Sequence, residues 1–360
     1  MTTILSGVQP SGSLHLGNLV GAIENYVRLQ HEAVVIENSQ KGPPEASRAE
    51  SERYGAPDPG KAPAELYYMI ADWHALTSKF DSTESIMPAI FEVTATFLAA
   101  GLDPDKCALF AQSQIKEHAE LHLLFSMATP LSWLERVPTY KEKLQNSNAD
   151  LGSYGFLGYP VLQAADILVY KANSVPVGED QLFHLELTRE IARRFNFLYQ
   201  REVFPESQAV LTQAPKVPGI DGRKMSKTYD NGIYLRDTPD QIMHKCTRQM
   251  ASDTARVRKS DPGDPNVCTA HTFHKLFSPA ETVDEIAGQC KNAGIGCFDC
   301  KKRLAERLIE RVEPLRERIE AHLADTSNLE TVLRNGAERA RARAKATMAE
   351  VREVMRLPIF

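Results

Sequence analysis

Two short stretches hold the residue types that phosphate chemistry needs. GVQPSGSLHLGN, residues 7 to 18, sets Gln9, Pro10, Ser11, His15, Gly17 and Asn18 at the end of a strand-like run, TILSGV. A helical spacing follows, through Leu16, Leu19, Ile23, Tyr26 and Val27. A helix opening there offers free backbone N–H groups and the positive end of its dipole, a receptor for phosphate. Gly17 and Gly21 leave its first turns bare, and His15 and Asn18 can reach a phosphate through side-chain hydrogen bonds. The same residues also suit a plain strand-to-helix turn around a structural histidine, and a short glycine motif does not choose between the two. The second stretch, DGRKMSKTYDN at 221–231, groups Lys224, Met225, Ser226, Lys227 and Thr228, with Gly219 and Gly222 as hinges. Two ammonium groups on a mobile loop can swing onto the β- and γ-phosphates of ATP and stabilise charge on departing pyrophosphate. As an ordinary lysine-rich loop the segment would simply be solvated.

Asp166 is a carboxylate among apolar neighbours. It shares a face with Leu162 and Val169 of a helix predicted over 160–172, and in that stripe it needs a partner. An indole N–H, a donor without acceptor capacity, matches a group that only accepts; backbone N–H groups or a lysine would satisfy it as well. Cys268, Cys290, Cys297 and Cys300 form a Cys-x21-Cys-x6-Cys-x2-Cys series within 33 residues. Four thiolates suit tetrahedral zinc and a four-iron cluster equally, and unmetallated thiols are the third reading. Cys107 and Cys246 stand apart and read as core thiols.

The elements that must carry these residues alternate. Strands are expected at 3–8, 65–77, 107–113 and 173–179, with helices from 16, from 86 to an end at Gly101, and over 117–128, 160–172 and 180–196. Residues 133–153 read as a loop. Alternation through residue 200 predicts an α/β fold with a doubly wound parallel sheet, and the pattern from about 237 onward is helical. Residues 38–63, with five prolines and three glycines, read as a flexible insertion. The 360 residues are 42% hydrophobic and 25% charged, ordinary for a globular chain and against collagen, disorder or a membrane protein. No signal-peptide pattern is visible at the start, and a cytoplasmic protein is expected. Residues 301–360 carry 14 Lys+Arg against 10 Asp+Glu within a chain of net charge -5. Such a basic tail suits a polyanion or a solvated helical face.

HLGN after the first strand and KMSK after the last, in that order, resemble the two signatures of class I aminoacyl-tRNA synthetases. FLGYPVLQAADILVYKANSVPVGEDQLFHLELTRE, residues 156–190, resembles the pocket segment of bacterial tryptophanyl-tRNA synthetases. ILSGVQPSG and ADWHALT extend the likeness over nearly the whole chain. The resemblance implies a Rossmann-like catalytic domain at 1–220. The KMSK loop and a helical tRNA- and anticodon-binding domain would occupy 221–360, with a metal module at 262–302. It implies that Asp166 reads the indole N–H and that Tyr159 and Gln181 hold the ammonium and carboxylate of L-tryptophan. Gln9 and His74 would line the same cavity, along with Gln163, where many relatives carry methionine. Gly178, Glu179 and Asp180 would meet the ribose, while Gln9, Pro10, Ser11, Gly17, Asn18 and the loop from Lys224 to Thr228 would bind ATP. Lys141 or Lys143 would reach phosphate.

The implied reaction is attack of the tryptophan carboxylate on the α-phosphate of Mg-ATP, then transfer to tRNA(Trp) by a homodimer without a membrane partner. His15, Asn18, Lys224 and Lys227 would carry the catalysis through positioning and charge. The alternatives are a tyrosyl-tRNA synthetase or a tRNA-independent adenylate-forming nucleotidyltransferase. A subset of tryptophanyl-tRNA synthetases has a [4Fe-4S] cluster on a similar cysteine series with one more residue in its first gap. ARVRKSDPGDPNVC resembles that subset too, which favours the cluster over zinc.

Overall fold

The computed structural model describes residues 2–10, 12–34, 64–137, 153–211 and 216–358. The expected insertion at 38–63, Ser11, Lys141 and Lys143 lie outside the described residues. Strands β1 (Thr2–Val8), β2 (Ala64–Ile70), β3 (Ala108–Ala111), β4 (Ser174–Val177) and β5 (Gln208–Leu211) form one parallel sheet in the order β3-β2-β1-β4-β5. β1 pairs with β2 from Thr2↔Ala64 to Val8↔Ile70 and with β4 at Ile4↔Ser174. Successive strands step outward from β1 on one side, then restart on its other side at β4. The sheet therefore changes direction between β1 and β4, where a crevice must open beyond the strands' carboxyl ends. β2 is buried from Leu66 through Ile70, the continuous apolar run of a strand covered on both faces.

Helix α1 runs over 16–34 as an opening turn Leu16–Asn18, a π turn Leu19–Ile23 and Glu24–Val34. Next come α2 (Asp72–Lys79), α3 (Ile86–Ala99), α4 (Glu117–Ala128), α5 (Tyr154–Val169) and α6 (Leu182–Tyr199). The strand expected over 65–77 stops at Ile70. Asp72 accepts from the N–H groups of Trp73 at 3.1 Å and Ser113 at 3.0 Å, and as an acid in the first turn it favours helix from there on. α5 begins six residues before its expected start, because the Ser153 hydroxyl caps it by accepting from Phe156 N–H at 3.2 Å. β5, four residues at a sheet edge, has no counterpart in the expected elements.

The helical remainder comprises α7 (Pro239–His244), α8 (Thr269–Phe277), α9 (Ala280–Lys291), α10 (Cys297–Leu323) and α11 (Thr326–Val354). α10 packs on α3, and α11 covers edge strand β3. Gly336, Ala337, Ala340 and Ala344 are all buried, and a Cβ on Gly336 would stand 1.9 Å from the Leu109 carbonyl oxygen. Small residues thus let the helix lie directly on strand backbone, closing an edge that would otherwise offer unpaired amides. Several arginines of the basic tail bond back to the body of the protein. Arg318 donates to Ala99 O at 2.9 Å, Arg339 to Cys107 O at 2.6 Å, Arg341 to Gln114 O at 2.8 Å and Arg343 to Tyr170 O at 3.3 Å. Arg352 pairs with Glu120 at 2.6 Å. These side chains act as staples from the last two helices to the sheet side, while Lys302, Arg307, Arg334 and Lys345 of the basic tail stay exposed.

Candidate active site

A cavity of about 610 Å³ opens at the switch point, between Leu5-Ser6-Gly7 of β1 and Val175-Pro176-Val177 of β4. Of the residues singled out in the sequence, Gln9, Asn18, His74, Tyr159, Gln163, Asp166, Gly178, Asp180 and Gln181 line it. Gly21 also lines it, with nothing within 4 Å of where its Cβ would be, so a ligand can approach backbone there. Gly17 does something else: its Cβ would come within 3.0 Å of His15 Nδ1, so its bareness makes room for the histidine ring.

Asp166 sits at the inner end of the cavity and is 1% exposed. Its Oδ2 accepts from His74 Nε2 at 2.7 Å, while its Oδ1 accepts from Gln112 Nε2 at 2.8 Å and His118 Nδ1 at 2.6 Å. Neither backbone nor lysine is among these partners. Burial pushes the carboxyl upward, but His74 and His118 together outweigh it and hold the group well below the usual carboxylate range. An ionised carboxylate has about four lone-pair positions, so one acceptor position on Oδ2 is left. Tyr159, on the same helix, hydrogen-bonds His184 Nε2 at 2.7 Å.

The two phosphate motifs meet although 215 residues separate their contact: Lys227 Nζ donates to the Gly12 carbonyl at 2.6 Å. Backbone bonds zip the flanking segments, Leu16 N–H to Ile233 O at 3.0 Å and Leu235 N–H to Leu14 O at 2.8 Å. His15 and Asn18 form a reciprocal cap. Asn18 N–H donates to His15 Nδ1 at 3.2 Å and His15 N–H to Asn18 Oδ1 at 3.0 Å. Burial, with Lys227 nearby, lowers the His15 pKa to about 4, so at neutral pH the ring is uncharged. Lys224, largely exposed, reaches Asp180 Oδ2 at 3.9 Å across the cavity mouth.

The family model described as "tRNA synthetases class I (W and Y)" matches residues 60–313. The chain belongs to that family. The tryptophan–tRNA ligase of Thermotoga maritima is 46% identical over 356 residues, covering 98% of this chain and 99% of its own. That of Aquifex aeolicus is 38% identical over 426 residues, covering 99% and 100%. The crystal structure of Campylobacter jejuni tryptophanyl-tRNA synthetase complexed with ADP and tryptophan superposes with a TM-score of 0.83. It is 30% identical and covers 99% of this chain and 100% of its own.

In this synthetase several expected site residues stand back from the cavity wall. Pro10, His15, Gly17, Glu179, Lys224, Met225, Ser226 and Lys227 do not line it. Glu179 instead pairs with Lys216 at 3.1 Å on the surface, and Met225 is buried. The side chain of Thr228 lies outside the described residues. Gly178 is where a Cβ would meet Asp180 Oδ1 at 2.6 Å, so the glycine lets that carboxylate fold back over the strand end. Gly222 turns the loop at φ +84, but the hinge expected at Gly219 is a packed contact, its Cβ position 2.2 Å from Asn231 Nδ2.

Sequence reasoning missed Gln112, His118, Tyr170 and Asn231. Asn231, 2% exposed, accepts from Ser226 N–H at 2.8 Å and donates to Asp221 Oδ1 at 2.8 Å and Lys224 O at 3.1 Å, fixing the loop's shape. Its position five residues past Ser226 was the available signal. Gln112 and His118 follow β3, which ends beside β2 at the same crevice; their reach to a helix some 50 residues on leaves no local trace.

The four cysteines gather where α8, α9 and α10 meet. Burial, then the neighbouring thiols of Cys268, Cys290 and Cys297, push the Cys300 thiol up to about 12. Arg256 Nη1 lies 3.9 Å from the sulfurs of both Cys290 and Cys297. Among the described residues no group of three or more His, Cys, Asp or Glu is arranged to hold a metal ion. The expected metal centre is therefore not a preformed ligand shell; metal binding and closure of such a shell are coupled. Lys301, next to the last of these cysteines, is buried and donates to Met250 O at 2.5 Å, and Arg303 pairs with Glu285 at 2.9 Å. Cys107 and Cys246 are buried core thiols, each pushed up to about 12 by burial. Among the described residues no helix is long and apolar enough to cross a membrane.

Proposed function

We propose that this chain activates L-tryptophan with Mg-ATP, forming tryptophanyl-adenylate and pyrophosphate, and then esterifies tRNA(Trp) in the cytoplasm. The observation that carries the reading is the single acceptor position left on Asp166, a buried ionised carboxylate in the wall of the cavity. Indole is an apolar ring with one N–H and no acceptor, so it uses that position and leaves nothing unpaired. Tyr159 and Gln181 stand at the cavity wall where the amino acid's ammonium and carboxylate would lie, with Gln9, His74 and Gln163 around the ring. Gln9, Asn18, Gly178 and Asp180 would hold the adenosine end. Lys224 and Lys227 would meet the triphosphate and stabilise charge on the leaving pyrophosphate. His15 would serve as a neutral donor or acceptor from the start of α1. Residues 1–220 would be the catalytic part and 221–360 the loop and tRNA side.

Cys268, Cys290, Cys297 and Cys300 are read as ligands of a [4Fe-4S] cluster in preference to zinc. Their donor set, four soft thiols and no oxygen, fits either. A single zinc needs all four sulfurs about 2.3 Å from one point, whereas a cubane gives each thiolate its own iron and tolerates a wider spread. Bound there, the cluster would brace the junction of the three helices. A homodimer is supported by exposed Leu123, Met127, Leu131, Tyr154 and Phe183, which lie on α4, the turn after it and the starts of α5 and α6.

The deciding experiment is amino-acid-dependent ATP–pyrophosphate exchange on the purified chain. Exchange with tryptophan and charging of tRNA(Trp) are expected. Exchange with tyrosine instead, or adenylate without tRNA charging, would overturn the reading. Iron and acid-labile sulfide are expected after anaerobic purification; a colourless protein with one zinc per chain would exclude the cluster.

A further inference from the structure

His118 is fully buried and does not line the cavity, yet it contacts the group that reads the substrate. We propose that His118, backed by Tyr170, is a specificity-determining positioning residue that orients Asp166 so that only one acceptor position faces the amino-acid pocket. The inference rests on the reading of Asp166 as the indole N–H acceptor.

The hydrogen-bond directions follow from the groups. Asp166 can only accept, so His118 Nδ1, at 2.6 Å, carries a proton. His118 Nε2 then accepts from the Tyr170 hydroxyl at 2.8 Å. Burial drives that phenol well above its ordinary range, so its proton stays in place. Tyr170 is itself fixed, its ring stacked on Tyr67 with centroids 4.6 Å apart and its carbonyl held by Arg343. With Gln112 as the second donor, Oδ1 has both lone pairs filled. Oδ2 receives only His74 and keeps one lone pair. A rigid tyrosine–histidine–carboxylate row thus decides which oxygen, and which side of it, an incoming donor can use.

Without His118, Oδ1 has an unfilled lone pair in a dry site. The carboxylate can then turn or take up a proton, and the preference for a ligand carrying N–H fades. The effect must appear as lost discrimination, because His118 touches neither ring nor phosphate.

The test compares kcat/KM in pyrophosphate exchange for L-tryptophan and for 3-(3-benzothienyl)-alanine, in which sulfur replaces the indole N–H. The wild-type chain is expected to prefer tryptophan by about 100-fold or more, since the sulfur leaves the buried acceptor unpaired. His118→Ala should cut that ratio about tenfold or more through KM for tryptophan, with KM for ATP unchanged. His118→Asn, whose amide can still donate toward Oδ1, should restore most of it. Tyr170→Phe, which removes only a hydroxyl, should lower it about threefold to tenfold and carries the comparison if His118→Ala does not fold. A folded His118→Ala that keeps the wild-type ratio, or that slows both substrates equally, overturns the proposal. A wild-type chain indifferent to the sulfur isostere would refute the Asp166 reading itself and the proposal with it.

Discussion

Lys227 must be charged to meet a triphosphate, yet its surroundings oppose the charge. Burial chiefly, then Lys79, lowers its pKa from 10.5 to about 8 against the opposing pull of Glu92. At pH 9 only about one molecule in ten keeps the ammonium proton, where an ordinary lysine would be almost fully charged. If ATP requires the charged form, kcat/KM for ATP should fall about tenfold per pH unit above pH 8, about 1.4 kcal/mol each. The assay is pyrophosphate exchange at saturating tryptophan from about pH 6.5 to about 9.5, with Lys227→Arg alongside. Arginine stays charged throughout, so its profile should be flat even though its lower absolute rate reflects a poorer fit. Loss of fold cannot mimic the effect. Between about pH 8 and 10.5 the unfolded chain binds more protons at this residue than the folded one, so its contribution to stability rises with pH as activity falls. A wild-type profile flat through about pH 9.5, or one that falls in parallel with Lys227→Arg, would refute the assignment of Lys227 to the triphosphate.

Two further changes separate substrate recognition from packing. Asp166→Asn puts an amide N–H against one of the donors now facing the carboxylate, so the dissociation constant for tryptophan in calorimetry should rise about 30-fold or more; a change under about twofold in a folded variant would remove Asp166 from recognition. Gly336→Ala drives a methyl into the Leu109 carbonyl, 1.9 Å from the ideal Cβ position, and should cost about 2–4 kcal/mol in urea unfolding as α11 lifts from β3. KM for both substrates should stay unchanged below the transition, and an unaltered unfolding midpoint would show that the close packing of α11 is not needed.

The sequence by itself determined what is local. The apolar run of β1, the 117–128 spacing and the turn chemistry around His15 express contacts between near neighbours, so they could be read without a structure. The signatures HLGN and KMSK, and the carboxylate in a helix stripe, likewise marked residues that gather around one crevice. Even so, Ser153 began a helix that apolar spacing started later, and Asp72 turned an apparent strand into a helix, each through one side chain accepting from backbone N–H groups. Only the tertiary structure decided who meets whom. Asp166 takes partners 92, 54 and 48 residues away, Lys227 closes on Gly12 across 215, and Arg339, Arg341 and Arg343 of the basic tail reach carbonyls of the sheet side. The physical reason is that a buried donor or acceptor must find a partner wherever packing brings one, and packing of distant strands and helices leaves no periodic mark in the chain.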